Sequence, residues 1–362
     1  MKIVITGGHL SPALAVIEEL PKGVDVVFVG RKHAFEGDTA LSLEYREITS
    51  RNIPFFILPT GRLQRVFTLQ TFPSLLKVPR GIGKAFSLLK REKPDCVLSF
   101  GGYVGLPVVI AAHFLKIPVV IHEQTLRVGF SNRLASRFAK KICISWRESE
   151  HLFPKEKTVL TGNPLRKSFL SIKHTKKKIY EKPMIYITGG SGGSHEVNMI
   201  VEGYLETLLS TYVLVHQTGD TKTYNDYEKL LQKRDSFDKN LQKRYHLYTF
   251  MSPDEAASCM RDAELVISRA GINTITELLY LKKKAYLIPL RSGQKGEQST
   301  NAAFFTKLGL GEIYSSNQNF TEIVQKMISS SSYTLKTDID VSRIEKAASH
   351  LVSILTHEAQ NT

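Results

Sequence analysis

The sequence predicts an α/β protein made of two Rossmann-like domains with parallel sheets, and three observations predict it. Short β-branched runs alternate with helical patterns along most of the chain, the arrangement that gives doubly wound parallel sheets. A strand feeding a glycine turn and then a helix occurs twice, first near residue 3 and again near residue 184. At 362 residues the chain exceeds the size at which one hydrophobic core usually stops growing, so two domains are expected. Hydrophobic residues make up 42% and charged residues 23%, which is the balance of a folded globular protein.

The first strand is Ile3 to Thr6, followed by Gly7-Gly8-His9 and by Pro12 leading an apolar-periodic helix from Ala13 to Leu20. Further strands are expected at Val24 to Gly30, Asp95 to Phe100, Val119 to His122 and Lys141 to Ile144. The uncharged stretch from Cys96 to Leu115 is long enough to span a bilayer, but Gly101, Gly102, Gly105 and Pro107 interrupt it. It reads as strand, loop and helix. From Leu165 to Pro183 the texture turns polar and lysine-rich, with the run SIKHTKKKIYEKP, as a linker would. The pattern then restarts with a strand at Met184 to Thr188, glycines at 189 to 193, a helix from Val197 to Leu209 and a strand at Tyr212 to His216. Strands at Leu265 to Ile267 and Lys284 to Ile288 complete the second sheet, and a last helix spans Val341 to Leu355. In such folds ligands sit at the carboxyl ends of the strands.

Three cysteines, Cys96, Cys143 and Cys259, lie far apart without metal-ligand or disulfide spacing, which fits a reducing compartment. The apolar run after Lys2 is too short for the core of a signal peptide, so a cytoplasmic location is expected. A net charge of +15 favours an anionic partner: nucleic acid, a phospholipid surface or phosphorylated substrates. Nucleic acid is not expected, because the aromatic residues do not follow a nucleic-acid-binding strand pattern and the basic residues accompany apolar ones.

Gly189-Gly190-Ser191-Gly192-Gly193-Ser194 lies between a strand and a helix. Glycines there let backbone N–H groups approach a diphosphate, with the helix dipole adding to the attraction. The run lacks the Lys-Ser/Thr ending of an ATPase loop, and a flexible turn is the alternative. A second cluster runs from Ser268 to Glu277, where a carboxylate early in a helix can bind both ribose hydroxyls of a nucleotide; a solvated Glu277 is the alternative. The polar loop from Gly293 to Asn301 offers amides and a carboxylate to sugar hydroxyls, or is simply surface. In the first half, His9 is a candidate general base or a structural turn residue. Gly101 to Pro107 and His122-Glu123-Gln124 fall at neighbouring strand ends.

These segments, TGGHLSPALAV, SFGGYVGLPVVIAA, IPVVIHEQ, TGNPLR, TGGSGGSHEVN, HQTG, SRAGINTITE and EQSTNA, together resemble the MurG family. Its members add N-acetylglucosamine to undecaprenyl-pyrophosphoryl-muramoyl-pentapeptide, and the resemblance runs in order through nearly the whole chain. It implies an inverting transferase of GT-B architecture, peripherally bound to the inner face of the membrane, with UDP-N-acetylglucosamine as donor and no tightly bound cofactor or metal. Residues 1–164 would bind acceptor and membrane, residues 165–340 the UDP-sugar, and the helix in residues 341–362 would return to the first domain. On the donor side the resemblance implies Gly190, Ser191 and Gly192 at the diphosphate, Ala270, Gly271 and Glu277 at the ribose, and Phe250 and Met251 beside the uracil. It also puts Glu297 and Gln298 at the sugar hydroxyls and Arg166 reaching the donor from the hinge. On the acceptor side it implies Thr6, Gly7, Gly8, His9, Tyr103, His122, Glu123 and Thr125, with His9 or Glu123 as the base. Two departures stand out: the family's first loop, GGGTGGH or similar, is shortened here to Thr6-Gly7-Gly8-His9, and its HEQN is HEQT, with Thr125 replacing an asparagine.

A lipid acceptor calls for docking on an anionic phospholipid surface. Between Arg62 and Lys93 lie Phe67, Leu69, Phe72, Leu75, Leu76, Val78, Ile82 and Phe86 among basic residues, each of which contributes about 1 kcal/mol near such a surface. Phe86 onward reads as ordinary core, and the basic stretch from Arg127 to Arg147 reinforces the surface. Alternatives on the same scaffold are a diacylglycerol glycosyltransferase and a UDP-N-acetylglucosamine 2-epimerase.

Overall fold

The computed structural model describes residues 1–33, 41–58, 71–190, 192–219, 224–290, 296–336 and 339–361, with the backbone alone for 71–78. The chain divides into two compact units, Met1–Arg166 with Ser342–Thr362, and Lys167–Val341.

The first unit runs β1 (Lys2–Thr6), α1 (Leu10–Glu19), β2 (Asp25–Gly30), α2 (Leu43–Thr49), β3 (Phe55–Ile57), α3 (Thr71–Glu92), β4 (Cys96–Ser99), α4 (Gly102–Phe114), β5 (Val119–Glu123), α5 (Phe130–Ala135), β6 (Lys141–Ile144) and β7 (Thr158–Leu160). The second runs α6 (Lys167–Ile172), β8 (Met184–Thr188), α7 (His195–Glu202), α8 (Leu205–Thr211), β9 (Val213–Gln217), α9 (Asp226–Asp235), α10 (Lys239–Arg244), β10 (Tyr245–Tyr248), α11 (Pro253–Asp262), β11 (Leu265–Ser268), α12 (Ile272–Tyr280), β12 (Ala285–Leu287), α13 (Glu297–Lys307), β13 (Gly311–Ile313) and α14 (Phe320–Ser329). The last helix, α15 (Val341–Gln360), belongs to the first unit.

Both sheets are parallel, in the orders β3-β2-β1-β4-β5-β6-β7 and β10-β9-β8-β11-β12-β13. Each order reverses direction once, between β1 and β4 in the first sheet and between β8 and β11 in the second. Those reversals are the switch points where doubly wound sheets open a crevice. The central strands are buried on both faces, which is why Ile3, Val4 and Ile5, and Ile185, Tyr186 and Ile187, read as continuous apolar runs. One face of the first sheet packs on α3 and α4 through Leu88, Leu89, Val104 and Val108. The other takes Leu351, Val352 and Leu355 of α15 against Ile3, Ile5 and Leu98, each such burial being worth roughly 1.5–3 kcal/mol.

Several boundaries differ from expectation, for local reasons. Helix α1 begins at Leu10, so Pro12 sits in its first turn, where a missing N–H costs nothing. The helix expected over 197–209 is two, α7 and α8, separated at Gly203-Tyr204. The linker contains α6, anchored by the buried Phe169, and its remaining residues, 165–166 and 173–183, lack regular structure. Helix α13 starts at Glu297, inside the polar loop expected from Gly293 to Asn301. Phe86 packs on the core, as expected, whereas Arg62, Arg65, Phe67 and Leu69, and the side chains of Phe72, Leu75, Leu76 and Val78, lie outside the described residues. Among the described residues no helix is long and apolar enough to cross a membrane.

Candidate functional site

At the first switch point two glycine turns press against each other. A Cβ on Gly8, whose φ is +149°, would lie 2.7 Å from the Gly101 carbonyl oxygen and 2.9 Å from that of Phe100. Gly101 and Gly102 also have positive φ, +81° and +73°, so only glycine gives this approach without strain. Beneath them the Thr6 hydroxyl donates to Ser99 Oγ at 2.9 Å, and the Gly7 N–H donates to the Val29 carbonyl at 2.8 Å. Gly101 caps α4, so Tyr103 stands in the first turn of that helix, half-buried.

His9 occupies the N-cap of α1 without a side-chain capping bond, and burial pushes its imidazole down to about 4. His122, at the end of β5, is fully buried, with Nε2 3.1 Å from the Gly162 carbonyl and 3.4 Å from Ser145 Oγ. Its pKa is also lowered to about 4, chiefly by burial and in part by the field of His9. Both imidazoles are therefore neutral near pH 7.

Glu123 is buried and accepts from the Thr125 N–H (3.0 Å), the Thr125 hydroxyl (2.7 Å), the Gly129 N–H (3.2 Å) and Asn132 Nδ2 (3.0 Å). Burial raises its pKa and these donors oppose the rise. A carboxylate so fully engaged organises the turn from Thr125 to Asn132, which differs from the base expected at this position. Thr125 is part of that brace, its hydroxyl shared with the Arg127 carbonyl oxygen 2.5 Å away. Arg166 stands 3.9 Å from Glu18 and 3.9 Å from Glu47, carboxylates of α1 and α2.

The second switch point repeats the plan with different bracing. After β8, the Gly190 N–H donates to Thr188 Oγ1 at 3.0 Å and the Gly193 N–H to the Gly190 carbonyl at 3.0 Å. Gly190 and Gly193 have φ of +85° and +73°, and a Cβ on Gly193 would overlap the Thr218 carbonyl. Ser194 caps α7, its hydroxyl accepting from the Val197 N–H at 3.4 Å. Gly192 is exposed and the turn leads into the N-terminus of α7, the end of a helix that attracts anions; Ser191 lies outside the described residues. Behind the turn runs a buried chain that the sequence reading did not identify. Tyr245 OH meets His216 Nδ1 at 2.9 Å, His216 Nε2 meets Asn198 Oδ1 at 3.0 Å, and Asn198 Nδ2 reaches Asp226 Oδ2 at 2.8 Å and the Thr218 carbonyl at 3.0 Å. Asp226 Oδ1 then holds His195 Nδ1 at 2.8 Å, and the ring of His195 stacks on Tyr224 with centroids 3.8 Å apart.

Across the switch point, the turn after β11 presents buried Ala270 and Gly271, the N-cap of α12, with Glu277 half-buried on that helix. Asn301 Nδ2 donates to the Ala270 carbonyl at 3.0 Å, and Arg269 pairs with Glu196 at 2.8 Å, tying this turn to α13 and α7. Gln298 Oε1 accepts from the Leu290 N–H at 2.9 Å at the start of α13, beside the half-buried Glu297. Gly293, Gln294 and Lys295 lie outside the described residues. Phe250, half-exposed, and the buried Met251 follow β10. Among the described residues no three His, Cys, Asp or Glu side chains gather as a metal site requires.

The described candidate residues of each unit thus follow the carboxyl ends of its strands. Residues 4–144 match the glycosyltransferase family 28 N-terminal domain, and residues 184–351 match the family's C-terminal domain. A UDP-N-acetylglucosamine–N-acetylmuramyl-(pentapeptide) pyrophosphoryl-undecaprenol N-acetylglucosamine transferase of Clostridium botulinum is 37% identical over 321 residues, 85% of this chain and 84% of that one. Its counterpart in Clostridium perfringens is 35% identical over 338 residues, 90% and 89% of the two chains. Among solved structures, Acinetobacter baumannii MurG aligns with a TM-score of 0.67 at 24% identity over 99% of this chain and 100% of that one. A UDP-GlcNAc 2-epimerase of Neisseria meningitidis bound to UDP-GlcNAc aligns at 0.65 and 18% identity, over 99% and 100%. With two parallel α/β sheets of this strand order and both halves of the family matched, the chain belongs to the MurG family of family 28 glycosyltransferases.

Proposed function

We propose that this hexosyltransferase moves N-acetylglucosamine from UDP-N-acetylglucosamine to undecaprenyl-pyrophosphoryl-muramoyl-pentapeptide with inversion at the anomeric carbon. The observation that carries the reading is a glycine turn at the switch point of each sheet, one for each of two diphosphate-bearing substrates. The unit that contains β8 takes the donor: the turn from Gly190 to Gly192, with Ser191, and the N-terminus of α7 behind it hold the diphosphate. Glu277 accepts from the ribose hydroxyls, Ala270 and Gly271 line its approach, Phe250 and Met251 flank the uracil, and Glu297 and Gln298 hold the sugar. Arg166 adds positive charge for the departing diphosphate. The unit that contains β1 takes the acceptor at Thr6, Gly7, Gly8, Tyr103 and His122, with Thr125 and Glu123 shaping the loop beside them.

In the transfer the acceptor's 4-hydroxyl oxygen bonds to the anomeric carbon as the bond from that carbon to the β-phosphate oxygen breaks. The hydroxyl proton goes to His9, and the electron pair leaves with UDP, whose charge the donor turn and the N-terminus of α7 stabilise. His9 suits this role better than Glu123, whose four donors already occupy its lone pairs. An imidazole pushed down to about 4 is neutral and ready to accept, and an acceptor diphosphate seated beside it raises its basicity by stabilising the imidazolium.

Docking on anionic phospholipid is part of the same reading. In the stretch from Arg127 to Arg147, which follows the carboxyl end of β5, Arg127, Arg133 and Arg137 are exposed and Phe130 is 45% exposed among them. Cations mixed with exposed apolar side chains suit an interfacial surface. Pelleting with vesicles that contain anionic lipid, set against neutral vesicles, tests it.

UDP release with a short-chain analogue of the lipid-linked acceptor tests the activity itself. Turnover that requires acceptor supports the transferase. UDP formed without acceptor, together with epimerised sugar, would favour the 2-epimerase reading instead.

A further inference from the structure

Glu44 has no part in the sites described so far, yet it lies against the first glycine turn. Helix α2 starts by clamping onto the end of β2: the Ser42 hydroxyl donates to the Arg31 carbonyl at 2.7 Å and accepts from the Tyr45 N–H at 3.0 Å. That clamp turns the next-but-one side chain, Glu44, toward the carboxyl ends of β1 and β2. Its Oε1 accepts from the Arg31 N–H at 3.1 Å. A Cβ on Gly7 would fall 2.5 Å from Oε1 and 2.7 Å from Oε2, and a Cβ on Gly30 would overlap Oε1 outright. Both positions are thus glycine where the carboxyl needs the room, and the carboxyl sits directly behind the turn.

The titratable and charged groups on the elements around it are Arg31 at the end of β2, His9 at the end of β1, and Arg46 and Glu47 on its own helix. Of these, Arg31 acts on it, through the backbone hydrogen bond and its charge, and burial outweighs both, pushing the carboxyl up to about 7. Glu47 is taken by Arg51 at 2.8 Å and Arg166 at 3.9 Å. His9, lowered to about 4, carries no charge at neutral pH. Among the described residues beside this turn, Glu44 is therefore the group that changes charge near neutrality.

We propose that Glu44 is a protonation gate for the acceptor: neutral, it admits a diphosphate to the Gly7-Gly8 turn, and ionised, it repels one. The gate rests on the reading that the acceptor's diphosphate seats at that turn. Like charges disfavour one another most where water is excluded, so the carboxylate must take up a proton before the anion settles. Above pH 7 each unit of pH then reduces the competent fraction by up to about tenfold.

The test is the acceptor KM from pH 6 to pH 9, with UDP release as the signal, in wild type, Glu44→Gln and Glu44→Asp. The donor KM and the melting temperature are followed in the same samples. The expected result is an acceptor KM that rises about tenfold per unit above pH 7 in wild type. It stays flat in Glu44→Gln and rises again in Glu44→Asp, which keeps an ionisable group, while the donor KM is the same in all three. A wild-type KM that is flat, or the same slope in Glu44→Gln as in wild type, overturns the gate and leaves the transferase reading standing. Acceptor-independent behaviour throughout removes the reading of the turn, and the gate with it.

Discussion

The two glycine turns stand at equivalent places in two sheets that share one order over six strands, the first adding β7 at its edge, yet they are held differently. The turn after β8 is backed by a hydrogen-bonded chain from Tyr245 through His216, Asn198 and Asp226 to His195. Asn198 Oδ1 has no proton to give, so His216 Nε2 donates and Nδ1 accepts from the Tyr245 hydroxyl, a neutral imidazole with both nitrogens satisfied. Burial agrees, lowering His216 to about 3. The turn after β1 has no such chain among the described residues; backbone lies on backbone between Gly8 and Gly101, with the Glu44 carboxyl behind Gly7. One turn is rigid because polar groups brace it, the other because no atom larger than hydrogen fits. The braced turn suits a donor diphosphate whose charge grows as UDP leaves, since preorganised dipoles stabilise developing charge without reorganising. The tighter turn suits an acceptor whose diphosphate does not react.

Breaking each turn separately sharpens this contrast. The largest effect is expected from His9→Ala, which removes the proposed base and should lower kcat about 10³-fold. In wild type, the acid limb of kcat/KM should fall only as pH drops toward about 4, where His9 takes up a proton. Next is His216→Ala, which strands Asn198 Oδ1 and the Tyr245 hydroxyl in the core. A loss of about 3 kcal/mol of stability is expected, read by denaturant melts, together with weaker donor binding. Gly8→Ala comes third: its Cβ would meet backbone oxygens that cannot swing aside, at a cost of about 2 kcal/mol and with a raised acceptor KM but an unchanged donor KM.

The smallest is a stability effect at Glu44. Its folded pKa is raised from 4.5 to about 7, so the folded chain holds that proton more tightly than the unfolded chain does. The stability this gives is complete below the unfolded value and is lost as pH rises through about 7. Glu44→Gln should therefore gain melting temperature relative to wild type between pH 5 and pH 8, with most of the gain reached by pH 7.

The two sheets and their glycine turns are legible in the sequence; what holds each turn is not. Continuous apolar strands declare themselves: Met184 to Thr188 was read to the residue, because a strand buried on both faces has no polar position to blur its ends. The strands β3, β7, β10 and β13 are three or four residues long and most of them half-exposed, so no periodicity marks them. Glycines in turns were visible, since their need for positive φ is local. Side chains whose meaning depends on register were not. Glu44 reads as an ordinary acidic residue in a helix's first turn, and only the pairing of β1 with β2 brings Gly7 and Gly30 beneath it. Glu123 reads as an acid or base, and only the loop's path shows its donors arriving from Thr125, Gly129 and Asn132.

The central claim is that each substrate has its own switch point, and calorimetric titration of UDP-N-acetylglucosamine into His9→Ala and Glu277→Ala tests it most directly. The account predicts wild-type donor affinity in His9→Ala despite lost turnover, and a loss of about 30-fold in Glu277→Ala, where charge-assisted hydrogen bonds to the ribose disappear. Donor affinity that falls in His9→Ala, or survives intact in Glu277→Ala, would contradict it.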